Sequence, residues 1–220
     1  MKTWVTFLFT SVCFLSFGTD PKTANNLNTA ATASYLSPIE KEIVHEINLF
    51  RSNPADYADK YIAPLAKNYK GKVLYYPNDN PLMTKEGVRA VNECVRELKN
   101  AAPLSTLYPN QALTKAADDH VNDQSKTGKT GHYGRDRSLS KQRIERYGNW
   151  QERIAENIAY GANSARQIVI YLLVDDGVSD RGHRKNFLRP EFKYVGVATG
   201  NHPVYNSMCV MDFAAGITEK

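Results

Sequence analysis

Apolar residues recur at helical spacing through the first two thirds of the chain. The first such segment opens with Ser37-Pro38-Ile39-Glu40, where Ser at the N-cap, Pro at N1 and Glu at N3 are typical of a helix start. Later segments have matching start and stop signals, such as Asn110 before the third and Gly128 after it. The predicted helices run from Ser37 to about Arg51, from Thr84 to before Pro103, from Asn110 to Gly128 and from Ser138 to Tyr147.

The hydrophobic pattern changes towards the C-terminus. Residues 168–174 are apolar on all sides, which is compatible with a buried helix or a buried strand. Ser164 as a cap and a length near twelve, from Ala165 to Asp176, favour the helix. Two later apolar segments flank a turn through residues 200–203 and predict an antiparallel hairpin. Helices first, strands late and no alternating strand–helix units predict an α+β fold.

The first 18 residues differ from the rest of the chain. Lys2 precedes an apolar segment from Trp4 to Phe17, which suits a secretory signal peptide and is shorter than the about 20 residues of a membrane span. Residues 19–36 are rich in Thr, Asn and Ala without a period, and predict a flexible linker. We expect one domain over residues 37–218, no transmembrane segment in the mature chain, and secretion or a periplasmic location.

Composition and charge narrow the possible partners. The chain is 42% hydrophobic and 23% charged, which is typical of a globular protein. Its net charge of +5 is scattered along the sequence. Nucleic-acid-binding proteins concentrate their basic residues on one face, so we expect no nucleic-acid partner. Cys94 and Cys209 both lie among apolar residues, and a disulfide and two buried thiols are equally compatible with this pattern.

The candidate chemistry lies in three short polar segments. The chain has no G-x-S-x-G, H-E-x-x-H or C-x-x-C motif and no phosphate-binding glycine loop. Instead, His132 is flanked by glycines, Glu156 is set among apolar residues, and His183 follows a pair of aspartates. A single histidine is more often structural, but several paired polar groups favour a functional site.

In chain order these segments read GHYGRD, RIERYGNW, AENIAYG, DDGVSDRGHRKNFL, VGVATGNH and CVMDFA. This order resembles the SCP domain of the CAP superfamily, over about residues 37–216. The bacterial exported members are the most similar, because the many cysteines of eukaryotic members are absent. The resemblance implies a three-layer α-β-α sandwich with a central antiparallel sheet. It also implies a surface cleft lined by two histidines and two acidic residues.

The resemblance places the two histidines at His132 and His183 and the first acidic residue at Glu156. The second acidic position has no Glu, and Asp175 and Asp176 are the carboxylates nearby. If residues 165–176 are helical, Asp176 lies in the middle of the inward stripe. We therefore predict that zinc or another divalent cation is held by His132, Glu156, Asp176 and His183. Three further residues are predicted for the ligand cleft: Asn157, Asp175 and His202. For His202 the alternative is a structural role in the turn before Pro203.

Three functions are compatible with this site. The leading hypothesis is a secreted, non-enzymatic binding module whose cleft holds a divalent cation and engages an extracellular lipid, glycan or protein. The alternative is a metal-dependent, peptidase-like extracellular hydrolase, in which the metal activates a water molecule. The third is a scaffold domain in which the polar cluster only stabilises the fold. A binding module is favoured because no nucleophile is identifiable.

Overall fold

The computed structural model describes residues 27–220. The predicted signal peptide and the first part of the predicted linker lie outside these residues. The helices are α1 (Pro38–Ser52), α2 (Pro54–Tyr57), α3 (Val88–Lys99), α4 (Gln111–Thr127), α5 (Ser140–Tyr147), α6 (Ala165–Val174) and α7 (Gly182–Phe187), with a π-helical turn (Ala58–Ile62) and a 3-10 helix (Ala63–Asn68) after α2. No helix within the described range is both long and apolar enough to cross a membrane.

Within the described residues, seven strands form two sheets. They are β1 (Tyr69–Lys70), β2 (Val73–Leu74), β3 (Leu82–Met83), β4 (Tyr108–Pro109), β5 (Gly148–Tyr160), β6 (Tyr194–His202) and β7 (Asn206–Glu219). The first three make a small antiparallel sheet, and the main sheet has the order β4-β6-β7-β5. β6 and β7 form the predicted hairpin, and β5 pairs antiparallel with β7. The two-residue β4 adds a parallel edge, so the sheet is mixed where an antiparallel one was expected.

Helices cover both faces of the main sheet. Successive residues of a strand point to opposite faces, and β7 shows this alternation clearly. Its Val210 packs with α4, whereas Met211 belongs to the core that α1, α3 and α6 share. This arrangement is the predicted α-β-α sandwich, and the α+β prediction is confirmed.

α4 lies directly on the sheet at Gly196 of β6. A Cβ atom at this position would lie 2.1 Å from the backbone carbon of Leu113 and 2.2 Å from the backbone nitrogen of Thr114. No real Cβ atom makes contacts this close. Only a glycine at position 196 therefore allows α4 to pack this near to β6. The position of α4 in turn fixes the loop that follows it and that carries His132.

The described half of the predicted linker packs on the domain. Leu27, Ala30 and Leu36 are buried. The side-chain amide of Asn48 in α1 donates to the carbonyls of Leu27 at 3.1 Å and Leu107 at 3.0 Å. Residues 27–36 are therefore part of the packed domain and not a flexible tether, because their apolar side chains find buried partners.

The two cysteines are separate buried thiols. Cys94 lies in α3 and Cys209 in β7, and neither forms a disulfide within residues 27–220. Cys94 Sγ donates to the carbonyl of Leu173 at 3.3 Å. Burial raises the pKa of the Cys94 thiol to about 12. Of the two alternatives for the cysteine pair, the structure has the buried thiols.

Candidate functional site

The first half of the candidate site is a pair between His132 and Glu156. His132 lies in the loop between α4 and α5, and Glu156 lies in β5. His132 Nδ1 is 2.7 Å from Glu156 Oε1. The carboxylate is buried, whereas 48% of the histidine side chain is exposed. The imidazole therefore connects a buried negative charge to the surface.

Two residues that the sequence did not single out lie beneath this pair. Arg143 of α5 donates from Nη2 to Glu156 Oε2 at 2.5 Å. Asp212 of β7 faces Glu156 across the strands, is completely buried, and has no hydrogen-bond partner among residues 27–220 for either carboxylate oxygen. Burial, reinforced by the charge of Glu156, raises the pKa of Asp212 well above its usual range. The sequence does hold a signal for Asp212, because this residue is a single charged residue among apolar neighbours in the strand.

The second half of the site is a pair between Asp175 and His183. His183 Nδ1 is 2.6 Å from Asp175 Oδ1, and the backbone N–H of His183 donates to Asp175 Oδ2 at 3.0 Å. Asp175 is buried, and 22% of the His183 side chain is exposed. The two pairs thus have the same organisation, with a buried carboxylate behind a partly exposed imidazole.

The prediction that Asp176 is the inward carboxylate is wrong. α6 ends at Val174, and Asp175 takes the left-handed conformation with φ of 54°. The helical phase therefore does not extend to Asp176. Its carboxylate instead accepts from the backbone N–H groups of Lys85 at 2.5 Å and Glu86 at 2.8 Å. Because these residues form a loop, α3 begins only at Val88 and not at the predicted Thr84.

Two asparagines connect the halves of the site. Asn157, fully buried in β5, donates from its amide to the carbonyl of His183 at 3.1 Å. Asn186 of α7 donates to Asn157 Oδ1 at 2.8 Å and to the carbonyl of Glu156 at 3.4 Å. α7 therefore lies along the edge of β5 that has no strand partner. Glu156 and Asn157 point to opposite faces, so the two histidine pairs lie on either side of this edge.

His202 has the structural role in the turn between β6 and β7 that was the alternative to a place in the cleft. It is buried, and its Nδ1 accepts from the backbone N–H groups of Val204 at 3.2 Å and Tyr205 at 3.3 Å. Its Nε2 donates to the carbonyl of Lys129 at 3.2 Å. Both ring nitrogens are used, so His202 offers none to a ligand. It holds the β6–β7 turn against the loop that leads to His132.

Comparisons with known proteins identify the family. Residues 44–213 match the model of the family described as CAP, the cysteine-rich secretory protein family. The chain belongs to the CAP family. The matched range includes both histidine pairs, and the resemblance inferred from the sequence motifs is confirmed. No curated protein matches this chain significantly.

Two solved structures are similar to parts of this CAP domain. One is an extracellular protein containing an SCP domain from Bacillus anthracis str. Ames, with 24% identity and a TM-score of 0.42. That match covers 50% of this chain and 34% of the Bacillus chain, so it spans about a third of that protein. The other is an outer surface protein from Borrelia burgdorferi, with 16% identity, a TM-score of 0.41, and coverage of 50% of this chain and 78% of that one.

The CAP domain does not form the predicted four-residue metal site. Within residues 27–220, no three His, Cys, Asp or Glu side chains are grouped closely enough to surround an ion. Glu156 and Asp175 lie behind their histidines, which leaves the Nε2 atoms of His132 and His183 as donors. A metal-bound histidine commonly gives its other N–H to a carboxylate, and both histidines have that partner. A cation at this site would take its protein donors from these two imidazoles and its other ligands from water or a bound molecule.

Buried arginines fix the segment that carries His183. Arg184 of α7 donates from Nε and Nη2 to the carbonyls of Leu173 and Val174 at the end of α6. Arg181 binds two carboxylates near and within α3, Glu86 and Glu93. The hydrogen bonds from Arg181 lower the pKa of Glu86 to about 2. The loop between α6 and α7 is therefore tied to α3, which holds Asp175 and His183 together.

Proposed function

We propose that this CAP domain is an exported binding module whose cleft holds a divalent cation and presents it to an extracellular lipid, glycan or protein. The Nε2 atoms of His132 and His183 would bind the cation. One observation carries the proposal: each histidine has Nδ1 on a buried carboxylate. Such a partner fixes the tautomer with the proton on Nδ1, and so leaves the lone pair of Nε2 for a metal.

The apolar segment from Trp4 to Phe17 supports export, since it suits a secretory signal. The name of the Bacillus protein, which describes it as extracellular, agrees with this location.

Binding is favoured over hydrolysis by the state of the two carboxylates. A metal-dependent hydrolase needs a carboxylate or another base that is available to accept a proton from water. Glu156 has one oxygen bonded to His132 and the other to Arg143. Asp175 has both oxygens bonded to His183. Neither carboxylate has an oxygen that is unoccupied by the protein.

Zinc titration by calorimetry tests the proposal. We expect the wild-type chain to bind about one zinc ion, and the double variant His132→Ala/His183→Ala to bind at least about a hundredfold more weakly, because both imidazole donors are lost. His45→Ala, which removes a half-buried histidine of α1 outside the cleft, is the matched control and should bind as wild type does. Equal binding by wild type and the double variant, or no binding by wild type, would contradict the proposal and favour the scaffold role.

Substrate turnover separates binding from hydrolysis. We expect no cleavage of casein or peptidoglycan by the zinc-loaded protein. Cleavage that stops on chelation and in Glu156→Gln would overturn the binding role and identify the metal-dependent hydrolase.

A further inference from the structure

We propose that Arg143 is a positioning residue that sets the orientation of His132. The inference rests on the proposed function, in that it explains how one of the two cation-binding imidazoles is held. Arg143 does not reach the cleft surface, since it is 1% exposed. It acts through the groups to which it donates.

The guanidinium binds three groups at once, two in the loop before α5 and one in β5. Nη1 donates to the backbone carbonyl of His132 at 3.2 Å and to that of Ser138 at 2.8 Å, while Nη2 donates to Glu156 Oε2 at 2.5 Å. Arg143 therefore holds both the backbone of His132 and the carboxylate that binds its ring. The planar, rigid fork of an arginine suits this role, and a lysine offers only a point charge.

The burial of Glu156 makes the arginine necessary. Glu156 lies in a buried layer of the sheet, opposite Asp212 of β7. A buried carboxylate needs hydrogen-bond donors to replace its lost hydration. The bonds to Glu156 Oε1 and Oε2 come from His132 and Arg143 respectively. Without Arg143 the second oxygen loses its cation, and the carboxylate is no longer fixed as an acceptor for His132 Nδ1.

The second histidine supplies an internal control. Both oxygens of Asp175 are bound by His183 itself, through its ring and its backbone N–H. The arginine next to this pair, Arg181, donates to the backbone carbonyl of Asp175 and not to its carboxylate. Loss of Arg143 should therefore change His132 and leave His183 unchanged.

The test is nitrogen-15 NMR of the imidazole rings in the metal-free protein. In wild type we expect both rings to carry the proton on Nδ1. In Arg143→Gln the His132 signals should move towards the mixture of tautomers found in free histidine, while the His183 signals stay in place. Arg143→Lys keeps the charge with fewer directed donors, and should restore part of the Nδ1 tautomer. It also provides a folded variant if Arg143→Gln does not fold.

A matched control lies one turn further along α5. Arg146 pairs with Asp119 and Asp136 and makes no bond to Glu156, so Arg146→Gln should leave both histidines unchanged. An unchanged His132 tautomer in folded Arg143 variants would overturn the inference, as would equal shifts of His132 and His183.

Zinc titration of the same variants separates this inference from the proposed function. We expect Arg143→Gln to weaken zinc binding about tenfold, which is the lower end of the loss seen when a residue that supports a metal ligand is removed. Arg143→Lys should weaken zinc binding less. If wild type binds no zinc, the proposed function fails, and the tautomer measurement still decides the role of Arg143. If wild type binds zinc and the Arg143 variants keep both its affinity and its His132 tautomer, only the Arg143 inference fails.

Discussion

At Asp212 a carboxylate lies completely buried in the sheet, beside Glu156, and the described part of the chain offers no donor to either oxygen. An ionised carboxylate in such a place has lost its hydration without compensation. The protonated form is therefore favoured, and the pKa of Asp212 is well above its usual range. The folded protein binds a proton there that the unfolded chain releases.

Because of this proton, the free energy of unfolding should decrease as the pH rises. The stabilising contribution of the Asp212 proton is complete below pH 3.8, the ordinary pKa of an aspartate, and is lost as the pH rises towards the raised pKa of the folded state. Asp212→Asn cannot titrate. We expect its free energy of unfolding, relative to wild type, to increase with pH by up to about 1.4 kcal/mol per pH unit.

Urea denaturation between pH 4 and 8 measures this difference. The exposed Asp180 makes no hydrogen bond through its side chain within the described residues, so Asp180→Asn should follow the wild-type pH profile. Parallel profiles for Asp212→Asn and wild type would show that Asp212 is ionised in the folded protein.

At the level of single residues, the sequence identifies those site residues that stand within recognisable motifs in the expected order. His132, Glu156 and His183 stand in recognisable segments, and the structure pairs each histidine with a carboxylate. The choice between Asp175 and Asp176 depends on one left-handed residue at the end of α6, which helix periodicity cannot anticipate. Arg143 and Asp212 become neighbours of Glu156 only through strand register and helix packing.

Among the elements, β5 is a long strand that the hydrophobic pattern does not predict. Alternation identifies a strand when one face is buried and the other is wet. Here both faces are covered by helices: Ile158 packs with α4, and Ala159 belongs to the core on the other side. The later hairpin was predicted because its turn residues are distinctive, and β6 and β7 confirm it.

The contact between α4 and β6 predicts that alanine at two glycine positions of β6 lowers the stability of the protein by very different amounts. In Gly196→Ala the new methyl group meets the backbone of α4, which cannot yield without moving the helix. In Gly200→Ala the nearest atom is Val121 Cγ1 at 2.5 Å, the end of a side chain that can rotate. We expect a loss of about 3 kcal/mol or more for Gly196→Ala and a smaller loss for Gly200→Ala.

Urea unfolding at constant pH compares the two variants. Because α4 leads into the loop that carries His132, Gly196→Ala should also weaken zinc binding if it folds. Equal stability losses at the two positions would mean that α4 does not rest on the backbone at Gly196.

For the whole molecule, stability comes from apolar clusters on both faces of the main sheet, without a covalent link between Cys94 and Cys209. A disulfide typically contributes 2–4 kcal/mol, and none joins these two residues. Burial of both thiols raises their pKa values, to about 12 for Cys94. Since the thiolate is the reactive form, both should be inert in the folded state.

Alkylation followed by mass spectrometry tests this state. We expect no iodoacetamide labelling of Cys94 or Cys209 in the folded protein, and labelling of both in guanidinium without any reductant. The thermal midpoint should be the same with and without reductant. Labelling that appears only after reduction would establish a disulfide.

The helix laid along β5 has a consequence for how these molecules behave at high concentration. An open strand edge is a template on which a second chain can add its own strand. Here α7 occupies that edge, with Asn186 bound to the carbonyl of Glu156. At the opposite edge stands the two-residue β4, whose Pro109 has no N–H to offer. The amides that bring His183 to the sheet therefore also cover an edge on which a second chain would otherwise find free backbone groups.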